Sequence, residues 1–274
     1  MSSGASHTRW LPRSDLRRRW IELVRSASVR VYGLLNDFLP PARRQSTFVC
    51  VFDNSPSVKD LLEALGVPHP EVDLLVAGGQ SVGFGYRVRD GDRVAAYPLI
   101  RTFELGDAAR LRPPPQTETR FIADVHLGRL TAYLRLAGFD AKYRNDYSDG
   151  EIVAISASED RVLLTRDVGV LKHGIVRRGY FMRETQPARQ LVEALRRFDL
   201  VTAARPFTRC LRCNSRLQAV ASDSVQHLLP ARTRDRYEEF ARCATCSGIY
   251  WQGSHYSRMR LFIEAAFAAA MANP

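Results

Sequence analysis

The stretch Arg120-Phe121-Ile122-Ala123-Asp124 reads as a short apolar strand that runs into a carboxylate, and Arg161-Val162-Leu163-Leu164-Thr165-Arg166-Asp167 repeats that pattern further along. Between them lies a helical stripe, Leu127, Leu130, Leu134 and Ala137, stopped by Gly138. Phe139–Tyr143 reads as another strand. Ser148 with Glu151 three residues later fits a capping box for a helix whose buried face carries Ile152 and Ile155. Tyr180–Arg183 is a further strand, and Pro187 opens a helix through Phe198 with Leu191, Ala194 and Leu195 on its apolar face. Strands alternating with helices predict a parallel sheet with right-handed crossovers.

A parallel sheet gathers the carboxyl ends of its strands along one edge. Asp124, Asp149 and Asp167, spaced 25 and 18 residues apart, are all expected on that edge. Carboxylates gathered there suit Mg²⁺ or Mn²⁺, which prefer oxygen ligands and keep several waters. Ions so held polarise a phosphodiester and activate water, so no nucleophilic side chain is needed. Each acid also has a plainer reading. Asp149 beside Ser148 suits the first turn of a helix, and Asp167 after a strand suits a loop or cap. His126, two residues after Asp124, reads as the start of a helix rather than a ligand.

Cys210-x-x-Cys213 and Cys243-x-x-Cys246, with 29 residues between the pairs, predict one four-thiolate zinc site of the structural kind. The insert must fold back as a loop or hairpin. A redox CxxC or an iron–sulfur cluster is the alternative, and neither pair follows a strand in a thioredoxin-like context. Cys50, inside Phe48–Phe52, reads as a core residue. Arg209, Arg212 and Arg216 surround the first knuckle, and Tyr250, Trp251 and His255 follow the second. Such groups can grip single-stranded RNA, or the two aromatics can cover the ribbon core.

The net charge is +11, and it is unevenly spread. Residues 28–103 are neutral, whereas residues 1–27, 120–205 and 206–274 carry +4 each. A positive excess of this kind points to polyanions. Lysine occurs only at 59, 142 and 172, so the excess is arginine, which suits bidentate phosphate contacts. Cysteines in paired spacing argue for a reduced, cytoplasmic compartment rather than a disulfide framework. There is no apolar run of membrane-spanning length. Leu261–Met271 is too short and contains Glu264. The start of the chain lacks a signal-peptide core. Arg-rich Leu11–Arg25 reads as a basic tail or an added helix, with an amphipathic transit segment as the alternative.

Residues 28–103 read as a small α+β unit. Val29–Tyr32 and Thr47–Phe52 are strands, Ser57 caps a helix through Leu65, and Gly66 ends it. Val72–Val76 and Arg93–Tyr97 are strands, with turns at Gly78-Gly79 and Asp90-Gly91-Asp92. This order resembles the ubiquitin-like β-grasp group, which includes small sulfur carriers. Their terminal Gly-Gly has no counterpart, because Gly78-Gly79 is internal, so a binding or positioning role is expected. Pro113-Pro114-Pro115 marks residues 104–119 as a linker.

The segments Asp124-x-x-Leu127-Gly128-Arg129-Leu130-x-x-Tyr133-Leu134-Arg135-x-x-Gly138-Phe139-Asp140, Asp149-x-Glu151-Ile152 and Leu164-Thr165-Arg166-Asp167 resemble the Mut-seven C-terminal RNase family, a branch of the PIN-like nucleases. The resemblance continues through Arg209-Cys210-x-x-Cys213-Asn214 and Tyr250-Trp251-x-Gly253-Ser254-His255. It implies metal-dependent RNA hydrolysis, with Asp124, Asp149 and Asp167 as catalytic residues and ligands of Mg²⁺ or Mn²⁺. A fourth acid, frequent in PIN nucleases, is not evident after Asp167; Glu151 or Asp146 are the substitutes. Arg129, Arg135, Arg166, Arg212 and His255 are the expected RNA contacts, and Cys210, Cys213, Cys243 and Cys246 the zinc ligands. The expected architecture is α/β throughout the catalytic part. A basic tail (1–27) precedes an α+β ubiquitin-like β-grasp domain (28–103) and a Pro-rich linker (104–119). A PIN-like parallel-sheet RNase domain (120–205), a zinc ribbon (206–256) and a C-terminal helix (257–274) follow. The expected partner is RNA, with transfer RNA as a compact candidate and no membrane. An inactive RNA-binding adaptor is the rival reading.

Overall fold

In a computed structural model, residues 25–100, 110–113 and 118–272 are described. The basic-tail reading of residues 1–24, and most of the linker, lie outside them. The chain divides into two compact units, Met1–Leu111 and Arg112–Pro274.

The first unit is a five-stranded mixed sheet in the order β2-β1-β5-β3-β4. Its strands are β1 (Arg25–Val31), β2 (Phe48–Phe52), β3 (Leu74–Ala77), β4 (Gln80–Ser81) and β5 (Arg93–Tyr97). β1 begins at Arg25, three residues inside what the sequence assigned to a tail, because Arg25 and Ser26 still pair with Phe52 and Val51. β1 and β5 run parallel at the centre, and the other pairings are antiparallel. Helix α1 (Val58–Ala64) starts where the Ser57 hydroxyl accepts the Asp60 N–H, and buries Val58, Leu61 and Leu62 against the sheet core. Gly78 and Gly79 turn β3 into β4, so this Gly-Gly is a hairpin turn. Cys50 is half-buried against the same core, and burial pushes its thiol up against the opposing pull of Arg43.

The second unit centres on a parallel sheet in the order β7-β6-β8-β9. The strands are β6 (Arg120–Ala123), β7 (Asp140–Lys142), β8 (Val162–Thr165) and β9 (Gly179–Phe181). Alternate side chains enter different layers. Phe121, Ala123, Val162 and Leu164 pack with helices α2 (Gly128–Leu136) and α5 (Pro187–Phe198). Ile122 and Leu163 pack with α3 (Asp149–Ser158) and α4 (Val168–Leu171). The result is a three-layer sandwich buried on both faces, which is why the strands read as apolar runs.

The second unit continues past this sheet. Strands β10 (Leu217–Val220), β11 (Phe240–Cys243) and β12 (Ile249–Trp251) form an antiparallel ribbon, with the short helix α6 (Ala231–Arg234) in the excursion between β10 and β11. The insert between the knuckles thus folds back on itself. Helix α7 (Ser254–Met271) starts three residues before position 257 and lays Ile263 and Ala266 into the core shared by α2 and α5. Among the described residues no helix is long and apolar enough to cross a membrane.

Candidate functional site

The chain leaves β6, enters β7 on one side, and then crosses back over β6 through α3 to reach β8 on the other side. The direction of winding therefore reverses between β6 and β8. In open α/β sheets, ligands bind at the carboxyl edge of such a switch point. Asp124 follows the last residue of β6 there, and Asp167 stands two residues after β8.

Asp124 is only 4% exposed. Its Oδ1 accepts the His126 N–H at 2.8 Å. Its Oδ2 accepts the Thr165 hydroxyl and the Arg166 N–H. The Thr165 hydroxyl also accepts the Asp167 N–H at 2.9 Å, so one threonine links the two strand ends. Asp167 caps α4 by accepting the Gly169 N–H at 2.6 Å, and its side chain is exposed. Asp149 is the exposed first residue of α3, whose capping box from Ser148 and Glu151 forms as its sequence requires. α3 runs antiparallel to the strands it crosses, so its start lies at the same edge.

Thus all three acids reach one edge, and all three also serve a helix start. Their carboxylates do not close to 4.8 Å of one another; among the described residues only the four cysteines gather so tightly. None of the three is ion-paired with a described Lys, Arg or His. The two substitutes for a fourth acid are engaged. Glu151 Oε2 accepts both the backbone N–H and the hydroxyl of Ser148, and Asp146 is held by a bidentate contact with Arg144. Tyr143 closes the edge beside Asp124: its hydroxyl donates to the Val125 carbonyl at 3.0 Å, and its ring covers Gly128, where a Cβ would come within 2.7 Å of it.

The arginines divide. Arg129 is exposed in the first turn of α2, and Arg212 is exposed on the first knuckle, both open to phosphate. His255 is exposed, with Nδ1 3.4 Å from Arg258 Nη2. Arg135 needs correction. It is 6% exposed, and its guanidinium donates to the carbonyls of Ala141, Leu211 and Arg212. It bolts the first cysteine knuckle to β7 and is buried away from the surface where RNA would lie. Arg166 directs its Nη1 to the carbonyls of Met182, Arg183 and Glu184, which makes it a brace for the segment after β9 beside the acids. His126 is exposed and opens the turn after Asp124, as its sequence position suggests.

The four thiols form a second site. Cys210 Sγ lies 3.5 Å from Cys246 Sγ, and Cys213 Sγ 3.3 Å from Cys243 Sγ, none of them in a disulfide. Tetrahedral Zn–S bonds of about 2.3 Å would set sulfurs about 3.8 Å apart, so the cluster fits one zinc ion. The thiols perturb one another strongly. Burial raises Cys213, but the N–H and hydroxyl of Ser215 and the neighbouring thiols prevail and lower it to about 6. The Gly248 N–H lowers Cys246, yet the adjacent thiols and burial push it up to about 11. Such opposition is what a shared cation relieves. Tyr250 places its hydroxyl 3.1 Å from Cys210 Sγ, and burial together with that thiol raises its pKa. Trp251 does not cover the ribbon core, which is built from Val225, Leu229 and Phe240; it remains 36% exposed.

The second unit is thus a three-layer α/β fold with three acids at its switch-point edge and a four-cysteine ribbon beyond it. The comparisons specify the class further: the family model described as Mut7-C RNAse domain matches residues 119–263, and Mut7-C ubiquitin matches residues 24–104. The chain belongs to the Mut7-C RNAse domain family, and its first unit is the accompanying ubiquitin-like domain. Neither the curated proteins nor the solved structures gave a match.

Some site residues have only weak signals in the sequence. Thr165 is visible as part of Leu-Thr-Arg-Asp, but not as the bridge between two acids. Asn214 donates its side-chain amide to Asp140 and accepts the Ala141 N–H. A lone asparagine after a cysteine gives no hint of a partner more than 70 residues away.

Proposed function

We propose that this protein is a metal-dependent ribonuclease whose acids are Asp124, Asp149 and Asp167. The observation that carries the reading is Asp124: a buried carboxylate at the switch point, oriented by three donors, with no described cationic side chain to neutralise it. Burying such a charge is costly unless something compensates it. An all-oxygen set on one edge, with two exposed carboxylates beside a buried one, fits a hydrated hard cation. Mg²⁺ keeps several waters and commonly takes only one or two protein carboxylates, so contact through water needs no closer convergence. Asp124 and Asp167 would hold the ion, with Asp149 reaching it from the start of α3. A bound Mg²⁺ or Mn²⁺ supplies Lewis acidity and a more acidic water.

The chain's own residues do the rest. Thr165 fixes the Asp124 carboxylate and the Asp167 backbone in one register. Arg166 holds the segment after β9 against that edge, and Tyr143 walls it. Arg129 lies one turn from Asp124 and takes a phosphate. PIN-like kinship favours 5′-phosphate and 3′-hydroxyl products. Compact structured RNA, transfer RNA first among the candidates, is the substrate to test. The experiment incubates the protein with folded and single-stranded RNA with Mn²⁺, with Mg²⁺, and with EDTA. Cleavage with either metal and none with EDTA supports the reading; RNA bound but never cut, under any metal, sinks it.

The inactive adaptor is kept as a second reading by one observation: each acid has a capping or first-turn role of its own, and the substitutes for a fourth acid are engaged. It predicts tight RNA binding with no metal-dependent loss of substrate.

A further inference from the structure

Beside the ribbon lies a cavity of about 520 Å³ that the ribonuclease reading does not use. Its floor is made by small residues on paired strands: Ala219 faces Ala241, and Ala241 faces Tyr250. Two alanines in a row leave room above the sheet. The walls are rings. Phe207 and Tyr256 meet at 4.4 Å with planes tilted by 39°, and Trp251 lines the cavity with part of its indole open to solvent. Phe207 holds a φ of 63°, a conformation that bulky residues rarely adopt, and its N–H donates to the Leu136 carbonyl at 2.9 Å. Strain of this sort concentrates at functional sites.

The polar lining completes the picture. Glu238, Glu239 and Gln252 line the same cavity, and Gln252 Nε2 donates to Glu239 Oε2 at 3.1 Å, which orients that carboxylate. Arg209 also borders the cavity, but its guanidinium donates to the Gly138 and Asn214 carbonyls and stands by Asp140, so the uncompensated charge here is that of the glutamates, which repel a phosphodiester. A flat group with N–H donors on its edge satisfies both the rings and the acids. Phosphates can remain outside, near exposed Arg212 on the knuckle whose Leu211 also lines the cavity.

We infer that this cavity takes one unpaired nucleobase of the RNA, and that guanine is the best match. Guanine presents two adjacent N–H donors, N1–H and N2–H, which one carboxylate can accept together. The inference rests on the ribonuclease reading for its ligand class. The cavity lies by Leu136, at the end of α2 away from Asp124. The nine residues of α2 span about 13 Å, so base capture and cleavage act on different nucleotides of one strand.

The test uses full-length protein carrying Asp167→Asn in EDTA, to suppress cleavage, and two labelled heptanucleotides: all uridine, and the same with one guanine. Anisotropy should show the guanine strand binding about tenfold more tightly, as a bidentate base contact allows. Trp251→Ala should cost about tenfold on that strand through lost stacking. Glu239→Gln should erase the difference between strands while zinc content stays unchanged. Equal binding of both strands, or a guanine preference untouched by either substitution, overturns the inference. Wild-type cleavage with Mn²⁺ is measured alongside. Cleavage without base preference removes the pocket and leaves the ribonuclease; base preference without cleavage removes the ribonuclease and leaves the pocket.

Discussion

The two edges of one parallel sheet treat their carboxylates in opposite ways. At the amino edge, Asp140, Glu159 and Arg161 form a closed network. Arg161 is buried, donates to Asp140 at 2.5 Å, to Glu159 at 2.7 Å and to the Phe121 carbonyl at 3.1 Å. Lys142 adds a contact to Glu159, and Asn214 brings the cysteine knuckle onto Asp140. At the carboxyl edge, Asp124 accepts a hydroxyl and two backbone N–H groups, Asp167 accepts one backbone N–H, and neither they nor Asp149 pairs with a described cationic side chain. The chain carries 40 basic groups, and Arg129 and Arg166 stand near that edge, yet no described one pairs with these three acids. Paired acids hold the fold, and unpaired acids at a switch point are open to an ion that is not part of the chain.

The sharpest break of this comparison is at Asp167 and Asp149. Both are exposed, and Asn caps or starts a helix nearly as well as Asp. Asp167→Asn and Asp149→Asn should keep the thermal midpoint yet lower ribonuclease rate roughly 100-fold or more, the scale of losing several kcal/mol of charge stabilisation. Wild-type rates in both would show that the edge is only a set of caps. Asp124→Asn is a poorer test, because an amide would oppose buried donors and cost about 1–3 kcal/mol of stability by itself.

The second break is at the zinc site. Cys213→Ser should lower zinc from about one per chain to near none and unfold the ribbon, since binding and folding are coupled. The Arg135 and Asn214 contacts carry that loss into β7, so hydrogen exchange should rise at Asp140–Lys142 as well. Protection of β7 unchanged in the zinc-free variant would mean that the knuckle hangs on the sheet without supporting it.

The amino edge gives the third. Arg161→Met should cost about 3 kcal/mol in urea unfolding, because it takes the buried cation from Asp140 and Glu159 and leaves them only Asn214, Arg209 and Lys142. The pH dependence has a definite sign. Burial raises Asp140, but Arg161, Asn214 and Arg209 outweigh it and hold its carboxyl low. Glu159 is likewise buried in part and held low by Lys142 and Arg161. Lowered carboxyls stabilise the fold above their unfolded values of about 4 and lose that contribution as pH falls through the folded values. Wild-type stability should therefore fall below about pH 4 more steeply than that of Asp140→Asn. Equal slopes would place the acid sensitivity elsewhere.

The smallest effect separates two arginines of one helix. Arg129→Ala should weaken RNA binding uniformly and reduce the salt slope by about one. Arg135→Ala should destabilise the protein while leaving that slope unchanged. The reverse result would return Arg135 to the RNA surface.

Much of this was written locally. Strand alternation, the Ser57 and Ser148 caps, the stops at Gly66 and Gly138, and the CxxC pairs depend on neighbours a few residues away, so they could be read along the chain. The edge that collects Asp124, Asp149 and Asp167 also followed, because a parallel sheet allows one place for strand ends. The fate of Arg135 did not follow. Two of its three partners lie 76 and 77 residues on, and an arginine on a helix looks the same in sequence whether it faces solvent or a knuckle's carbonyls. The same holds for Thr165 as a bridge, for Trp251 left at the surface, and for the ring-walled cavity beside the ribbon. Side-chain roles at those positions were decided by burial and by hydrogen-bond partners from distant segments, which only the tertiary structure brings within reach.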